Sequence, residues 1–422
     1  MKFICYFCAM SNKRVVVGLS GGVDSSVAAH LLLQAGYEVI GIFMRNWHDE
    51  SVVINNECPW IDDSNDAMLV AQHLGIPFQV LDLSAAYKER IVDYMFQEYA
   101  AGRTPNPDIL CNREIKFDVF LKAAEQLGAD FVATGHYCRK QWNPSSQQFE
   151  LLNGLDANKD QSYFLSQISQ AQLAKALFPI GHLEKAEVRS IAAEIHLPTA
   201  AKKDSQGLCF VGKVRLPDFL QQQLKPKEGN VILIEEEDYH QWQHQGHVVS
   251  GDWNAMLNSV LSKDWSKLKG RWIGKHQGAH YYTVGQRKGL SIGGFAQPLF
   301  ILHTNTTTNT LYVGQGEHHM ALYNPCVLVQ KKDLQLINND RLFSGQRVWA
   351  QVRYRQPLEM ATLWVSDWGV IFCFDAPQRA IAEGQFVAFY SKLNDHDYRL
   401  MGSGVMTWLD PKMLNPIFIP TH

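Results

Sequence analysis

The chain has 422 residues, 46% of them hydrophobic and 19% charged; at roughly 100–200 residues per domain, that length predicts two or three domains with sizeable cores. Lys plus Arg number 39 and Asp plus Glu 42, a formal net charge of −3, which excludes a histone-like polybasic binder while leaving room for local basic grooves. No run of about 18 apolar residues occurs, so no membrane-spanning helix is predicted.

The eight cysteines are Cys5, Cys8, Cys58, Cys111, Cys138, Cys209, Cys326 and Cys373. Their wide, irregular spacing is not that of a disulfide scaffold and predicts a cytoplasmic, reducing location, in which a functional cysteine acts as a thiol. Residues 1–13 form an N-terminal extension without signal-peptide features, and Met10 is an alternative start. Cys5 and Cys8 make a lone C-x-x-C with no second pair at zinc-site spacing, so no metal site is predicted.

Arg14 to Val17 is a β-branched run closed by Gly18-Leu19-Ser20-Gly21-Gly22 and followed by a helical pattern from Val23 to Ala35. Then come a strand over 38–44, a helix over 63–74, a strand over 78–83, helices over 85–101 and 115–127, and a strand over 131–134. Strands alternating with such helices predict βαβ units in a doubly wound parallel sheet, an α/β class, with ligands beyond the carboxyl ends of the strands. The stretch 159–223 reads as a helical extension of this first domain, which spans 14–225. A small central domain over 226–296 carries an insertion at about 235–272 rich in Glu, Trp, Gln and His. From 297 to 422, short alternating runs such as 299–302, 310–313, 347–354, 369–374 and 385–390 predict an antiparallel β-barrel.

Four motifs carry chemistry. Gly18-Leu19-Ser20-Gly21-Gly22-Val23-Asp24-Ser25 places successive backbone N–H groups at a helix start, an anion cradle aided by two hydroxyls. It lacks the lysine of a Walker loop, which favours holding pyrophosphate as a leaving group while the α-phosphate is attacked. In Arg103-Thr104-Pro105-Asn106-Pro107-Asp108-Ile109-Leu110-Cys111-Asn112, two readings stay open: a capped helix with a buried cysteine, or a thiol biased to thiolate near a helix start with Asp108 as proton shuttle. Lys202-Lys203-Asp204-Ser205-Gln206-Gly207-Leu208-Cys209-Phe210 offers the same choice between a strand cysteine packed between Leu208 and Phe210 and one made reachable by the glycine and activated by the two lysines. In Lys159-Asp160-Gln161, a helix cap is favoured over a polyanion contact.

Together with A-T-G-H-Y, Y-T-V-G-Q-R-K-G-L and V-R-Y-R-Q, these motifs resemble the tRNA-specific 2-thiouridylases, members of the PP-loop ATP pyrophosphatases, over nearly the whole span from Arg14 to Met406. The N-terminal extension, the 235–272 insertion and the tryptophan-rich second half depart from that pattern.

The resemblance implies a tRNA-uridine 2-sulfurtransferase that binds ATP, with Mg²⁺, on Gly18 to Ser25, with Met44 and Gly135 beside adenine. It makes Cys209 the persulfide carrier, Cys111 the second thiol, joined to Cys209 in a transient disulfide, and Asp108 the acid or base. Asn106, Pro107 and Asp108 would border the target base, which must leave its stack. His136, Lys159, Asp160, Gln161, Arg353, Tyr354 and Gln385 would meet the RNA. For Arg353 and Tyr354, a solvated strand face and barrel packing are the competing readings. Implied partners are the wobble-uridine tRNAs for Lys, Glu and Gln and a persulfide donor protein, with no membrane.

Two other classes compete. A PP-loop ligase, akin to GMP synthetase or argininosuccinate synthase, would need an ammonia source and no paired cysteines. A non-catalytic tRNA adaptor would show damage at Ser20, Asp24, Cys111 or Cys209, and all four are intact.

Overall fold

The computed structural model describes residues 13–47, 59–203, 216–245 and 252–411. The expectations for the N-terminal extension, for Cys5, Cys8 and Cys58, and for Cys209 with its motif fall outside the described residues.

The first domain is a five-stranded parallel sheet in the order β3-β2-β1-β4-β7, formed by β1 (Arg14–Gly18), β2 (Glu38–Arg45), β3 (Phe78–Asp82), β4 (Phe131–Ala133) and β7 (Ala176–Leu177). Val15, Val16 and Val17 are fully buried, as expected of a central strand covered on both faces. Val15, Val17 and Leu19 face helices α1 (Val23–Gln34), α2 (Pro59–Leu74) and Lys185–Glu194. Val16, Ile42 and Met44 face the helical stretch between β3 and β4. The first three strands extend one way from β1 and β4 lies on the other side, so the switch point is at the carboxyl end of β1, where the glycine loop sits.

The helical stretch is more segmented than the sequence predicts. Helix Ser84–Tyr87 widens into a π-turn at Lys88–Val92 before Asp93–Ala100, and the next helix starts at Pro107, eight residues ahead of the predicted 115, widening again over Cys111–Val119. Asn106 sets the earlier start: its side-chain oxygen accepts from Ile109 N at 3.2 Å, and proline follows at the first helical position.

Residues β5 (Cys138–Asn143) and β6 (Gln148–Asn153) form a hairpin that the sequence did not reveal. Strand β6 continues the barrel sheet by pairing Leu151 and Leu152 with Leu400 and Arg399, which docks the first domain on the barrel.

The central sheet has the order β10-β11-β8-β9, from β8 (Gly229–Leu233), β9 (Arg271–His276), β10 (Leu299–Asn305) and β11 (Thr310–Gln315). The predicted boundary at 297 is therefore corrected. The hairpin 299–315 pairs with 229–233 and not with the barrel, a partner choice that strand periodicity does not encode. The 235–272 segment supplies part of the cores: Tyr239 and Trp265 pack with Phe300, Leu302 and Tyr312, while Met256 and Val260 pack against Leu328 and Ile371 of the barrel.

The barrel is six antiparallel strands, β12 (Tyr323–Leu336), β13 (Arg347–Gln351), β14 (Glu359–Val365), β15 (Gly369–Arg379), β16 (Phe386–Lys392) and β17 (Tyr398–Thr407), closed by β12–β17 pairing. Phe372, Phe389, Val348 and Leu363 fill its interior. Cys326 and Cys373 stand directly opposite on β12 and β15 and are joined in a disulfide, a pairing that the irregular cysteine spacing did not suggest.

Candidate active site

The glycine loop is held open from both sides. Gly21 adopts φ +72°, and a Cβ there would lie 2.2 Å from the Asp63 carbonyl oxygen, so α2 seats directly on the loop. Gly135, after β4, approaches so closely that its Cβ would lie 2.7 Å from Ser25 N. Only glycine permits both approaches. Within the loop, Ser20 N donates to Ser25 Oγ at 3.1 Å, the two hydroxyl oxygens lie 3.2 Å apart, and Ser26 Oγ donates to Gly22 O at 2.8 Å. Gly18 has Met44 as neighbour, with Met44 Cε 3.0 Å from a virtual Cβ. The loop residues Gly18 to Ser25, Met44 and Gly135 are thus brought together at the carboxyl ends of β1, β2 and β4, as an anion and nucleotide site requires.

Two lysines bond the carboxylates beside this loop: Lys185, which lies in no motif, and Lys202, which opens the motif of Cys209. Lys185 Nζ donates to Asp24 Oδ1 at 2.8 Å and Oδ2 at 2.9 Å, and Tyr137 OH donates to the same Oδ1 at 2.8 Å. Lys202 Nζ bonds Asp63 Oδ1 at 2.7 Å and also Asp66. Burial works against the Lys202 charge, but the hydrogen bonds to the two aspartates prevail and raise its pKa. These ammonium groups are the nearest counterpart to the charge that the loop itself lacks. They come from residues 161 and 139 positions away from their partners, a separation that local sequence reading cannot bridge.

The second motif lies against the barrel. Thr104 N donates to Glu383 O at 2.7 Å, Gln385 Nε2 donates to the carbonyls of Thr104 (3.0 Å) and Pro105 (3.1 Å), and Asn106 Nδ2 donates to Gln385 Oε1 at 3.3 Å. Pro107 is buried and Asp108 half-buried in the first helical turn. Cys111, one turn on, is fully buried in the core cluster that also holds Val16 and Met44.

Tyr354 lies on the turn after β13 and not on a strand face, its ring centroid 4.2 Å from that of Phe164 and 6.5 Å from that of Tyr163. The Arg355 guanidinium lies 5.3 Å from the Tyr354 centroid. Arg353 donates to Ala380 O, and burial lowers its pKa, with repulsion from Arg379 adding to the effect. Asn106, Pro107, Asp108, Arg353, Tyr354 and Gln385 thus come together where the first domain meets the barrel.

The remaining RNA-assigned positions lie beyond Gly135 and around the Asp160 turn. Asp160 Oδ1 accepts from Gly154 N (2.8 Å) and Ser162 N (3.1 Å), and Oδ2 from Ser162 Oγ (2.8 Å). Burial raises its pKa against those bonds. Gln161 Oε1 accepts from Tyr137 N at 3.0 Å, fixing the turn that follows Gly135. Lys159 is half-exposed beside them. His136 is buried between Phe117 and Phe178, ring centroids 6.5 and 6.3 Å away, with Nδ1 2.7 Å from Thr134 Oγ1. Burial, then repulsion from Lys116, pushes its pKa well down, so it is neutral near pH 7.

This architecture of a phosphate-loop sheet, a linking domain and a closed barrel matches three family descriptions in order: a tRNA methyl transferase HUP domain over residues 13–213, a tRNA methyl transferase PRC-barrel domain over 261–315, and an aminomethyltransferase beta-barrel domain over 328–406. Among whole proteins, the chain is 57% identical over 407 residues to the tRNA-specific 2-thiouridylase MnmA of Flavobacterium johnsoniae and 55% identical over 413 residues to that of Christiangramia forsetii. Each alignment covers 94% of this chain and 100% of the relative. It is 43% identical over 384 residues to the Staphylococcus aureus protein of the same name, covering 90% of this chain and 93% of that one. The chain belongs to the tRNA-specific 2-thiouridylase (MnmA) family.

Proposed function

We propose that this enzyme converts the wobble uridine of tRNA to 2-thiouridine, consuming ATP and a persulfide sulfur. The observations that carry the reading are that Gly18 to Ser25, Met44 and Gly135 meet at the carboxyl ends of the strands, and that Cys111 lies in the same buried cluster as Met44. The Gly18 to Ser25 loop would hold the pyrophosphate portion of ATP, and its Mg²⁺ would come with the phosphates. The carboxylates nearest the loop, Asp24, Asp63 and Asp66, are paired with lysines, and no cluster of three His, Cys, Asp or Glu side chains occurs among the described residues. These residues fit a nucleotide-borne ion better than a protein-held one.

The C2 oxygen of uracil attacks the α-phosphorus, pyrophosphate leaves, and the adenylated oxygen becomes a good leaving group. The terminal sulfur of a Cys209 persulfide bonds to C2 and AMP departs. Cys111 thiolate then attacks Cys209 Sγ, the sulfur stays on C2 as the thiocarbonyl, and a Cys111–Cys209 disulfide forms that an external thiol reduces. In the other order, Cys111 first frees sulfide from the persulfide and that sulfide attacks C2; the same disulfide results. Asp108, three residues before Cys111, is the proton carrier. Asn106, Gln385, Arg353 and Tyr354 frame the approach of a splayed anticodon, with Tyr and Arg planes to stack on bases. Substrates would be the tRNAs for Lys, Glu and Gln, the sulfur would come from a persulfide-carrying protein, and the setting would be the cytoplasm.

The test is an assay with unmodified tRNA, ATP, Mg²⁺ and a labelled persulfide donor, read on a mercury-affinity gel beside pyrophosphate release. Sulfur in tRNA with one pyrophosphate per thiolation supports the reading. Pyrophosphate without sulfur transfer would replace it with a ligase.

A further inference from the structure

Asn46 follows directly on β2, where Leu83 N still donates to Arg45 O at 2.9 Å. Its side chain is 1% exposed, and among the described residues neither Nδ2 nor Oδ1 has a hydrogen-bond partner. The neighbouring Trp47 Nε1 is likewise unpartnered, while its ring rests 5.9 Å from that of Phe219. Burying an amide with both ends unmet is costly, and a leucine, branched at the same atom, would avoid the cost. Such a group persists where a ligand completes it.

Its position defines the ligand. Asn46 lies two residues beyond Met44, which packs at Gly18, so it stands at the same strand ends as the glycine loop. A phosphate would use only the donor and a cation only the acceptor. A carboxamide with both ends unsatisfied complements a planar edge that presents a donor beside an acceptor, which is the edge of a nucleobase.

We infer that Asn46 is a specificity residue whose carboxamide pairs with the hydrogen-bonding edge of a nucleobase in the active site. The inference rests on the proposed tRNA and ATP chemistry, and two bases there offer the edge: adenine of ATP, through N6–H and a ring nitrogen, and the target uracil, through N3–H and O4.

The experiment compares wild type with Asn46→Leu and Asn46→Asp. Three readouts are taken: the melting temperature without ligand, the ATP and GTP dissociation constants by equilibrium dialysis, and binding of tRNA transcripts carrying U or C at the wobble position. Ligand-free Asn46→Leu should melt at or above the wild-type temperature, because an unsatisfied group has been removed. A drop of about tenfold or more in the ATP-over-GTP preference, with tRNA binding unchanged, assigns adenine; the same drop in U-over-C preference, with ATP binding unchanged, assigns uracil. Asn46→Asp, which keeps shape but loses the donor, should fail on the same ligand. Variants with both preferences within twofold of wild type, or an Asn46→Leu protein that melts several degrees lower, would overturn the inference alone. A wild type that binds neither ATP nor tRNA would overturn the proposed function and the inference together.

Discussion

Asp24 and Lys185 form a two-point ion pair, Nζ 2.8 and 2.9 Å from the two carboxylate oxygens, with the lysine side chain 12% exposed and the aspartate 32%. The pair ties the first turn of α1 to the first residue of helix Lys185–Glu194, and so links the anion loop to the helix behind it. It also holds an ammonium beside a loop that has no lysine of its own.

Replacing Lys185 by Met should therefore weaken ATP binding by about tenfold, the scale of one charge-assisted hydrogen bond, while Lys185→Arg retains most of it. The partly buried pair contributes about 1–2 kcal/mol to stability, between the surface and fully buried cases. Equilibrium dialysis and urea unfolding of the three proteins check both numbers. Unchanged ATP affinity in Lys185→Met would confine the lysine to a structural role.

The loop itself is predicted to be intolerant at Gly21. Alanine there meets both the φ of +72° and an overlap with Asp63 O at 2.2 Å, a combined cost of about 2–4 kcal/mol, and α2 must shift off the loop. Gly36 has a similar φ of +83° but nothing within 4 Å, so Gly36→Ala should cost only about 1–2 kcal/mol and leave ATP binding intact. Equal losses in both variants would mean that the loop can relax around a side chain.

Cys111 is fully buried, yet the proposed chemistry needs its sulfur to reach another. Iodoacetamide should therefore label Cys111 slowly in the resting protein and at least about tenfold faster once tRNA and ATP are bound, because access limits thiol reactions as much as acidity does. Cys138 is an internal control: burial pushes its thiol pKa well up, and it should stay unlabelled in both states. Peptide mass spectrometry reads each site separately. Labelling of Cys111 at the rate of a free thiol in the resting protein would show that no opening step is needed.

The local pattern of β-branched residues, glycines and a helical run made β1, the loop and α1 legible, because their conformations are dictated by neighbours in sequence. The β5–β6 hairpin was not legible. Cys138 to Asn143 includes Arg, Lys, Gln and Asn, and becomes a strand through pairing with β6, which in turn joins β17 about 250 residues later. The same limit moved 299–315 into the central sheet: alternation identifies a strand and leaves its neighbour open. Asp108 and Cys111 were visible as motif residues, and Gln385 only through the family resemblance. Lys185 was not, and Lys202 was legible only as a neighbour of Cys209, since a solvated lysine and one that neutralises a loop aspartate look alike in sequence. Asp160 and Gln161 show the converse, a motif whose side chains bond backbone N–H groups of the chain itself.

The Cys326–Cys373 disulfide crosses two paired strands and closes 47 positions. Chain-entropy reasoning gives it about 4 kcal/mol at most, less whatever order the paired strands retain on unfolding. Cys373→Ser should lower the melting temperature of the barrel and leave thiolation of tRNA unchanged, since neither Cys326 nor Cys373 belongs to the cluster around Cys111, and dithiothreitol should lower the melting temperature in the same way. Intact-mass measurement before and after reduction, with alkylation counted at each cysteine, shows whether the bridge is formed in protein taken from reducing cells.

His303 gives the clearest pH dependence. Its ring stacks on Trp265 with centroids 5.0 Å apart and planes 6° from parallel, and burial drives its pKa down to about 4. In the unfolded chain a histidine titrates near 6.5. Between those values the unfolded state binds the extra proton, so stability is complete above about pH 6.5 and falls as pH drops toward 4, where the loss levels off. After discounting for partial exposure, His303 should account for a loss of about 2 kcal/mol across that window. His30, His136, His182, His276, His280 and His319, also lowered mainly by burial, lose stability in the same direction and contribute to the slope that remains without it. Asp82, held low by hydrogen bonds from Arg45 and Ser84, contributes only below about pH 4. His303→Phe keeps a stacking ring and removes the titration. Urea midpoints measured from pH 7 to 4 should therefore fall less steeply in the variant, and parallel curves for the two proteins would show that His303 is not desolvated in its seat against Trp265.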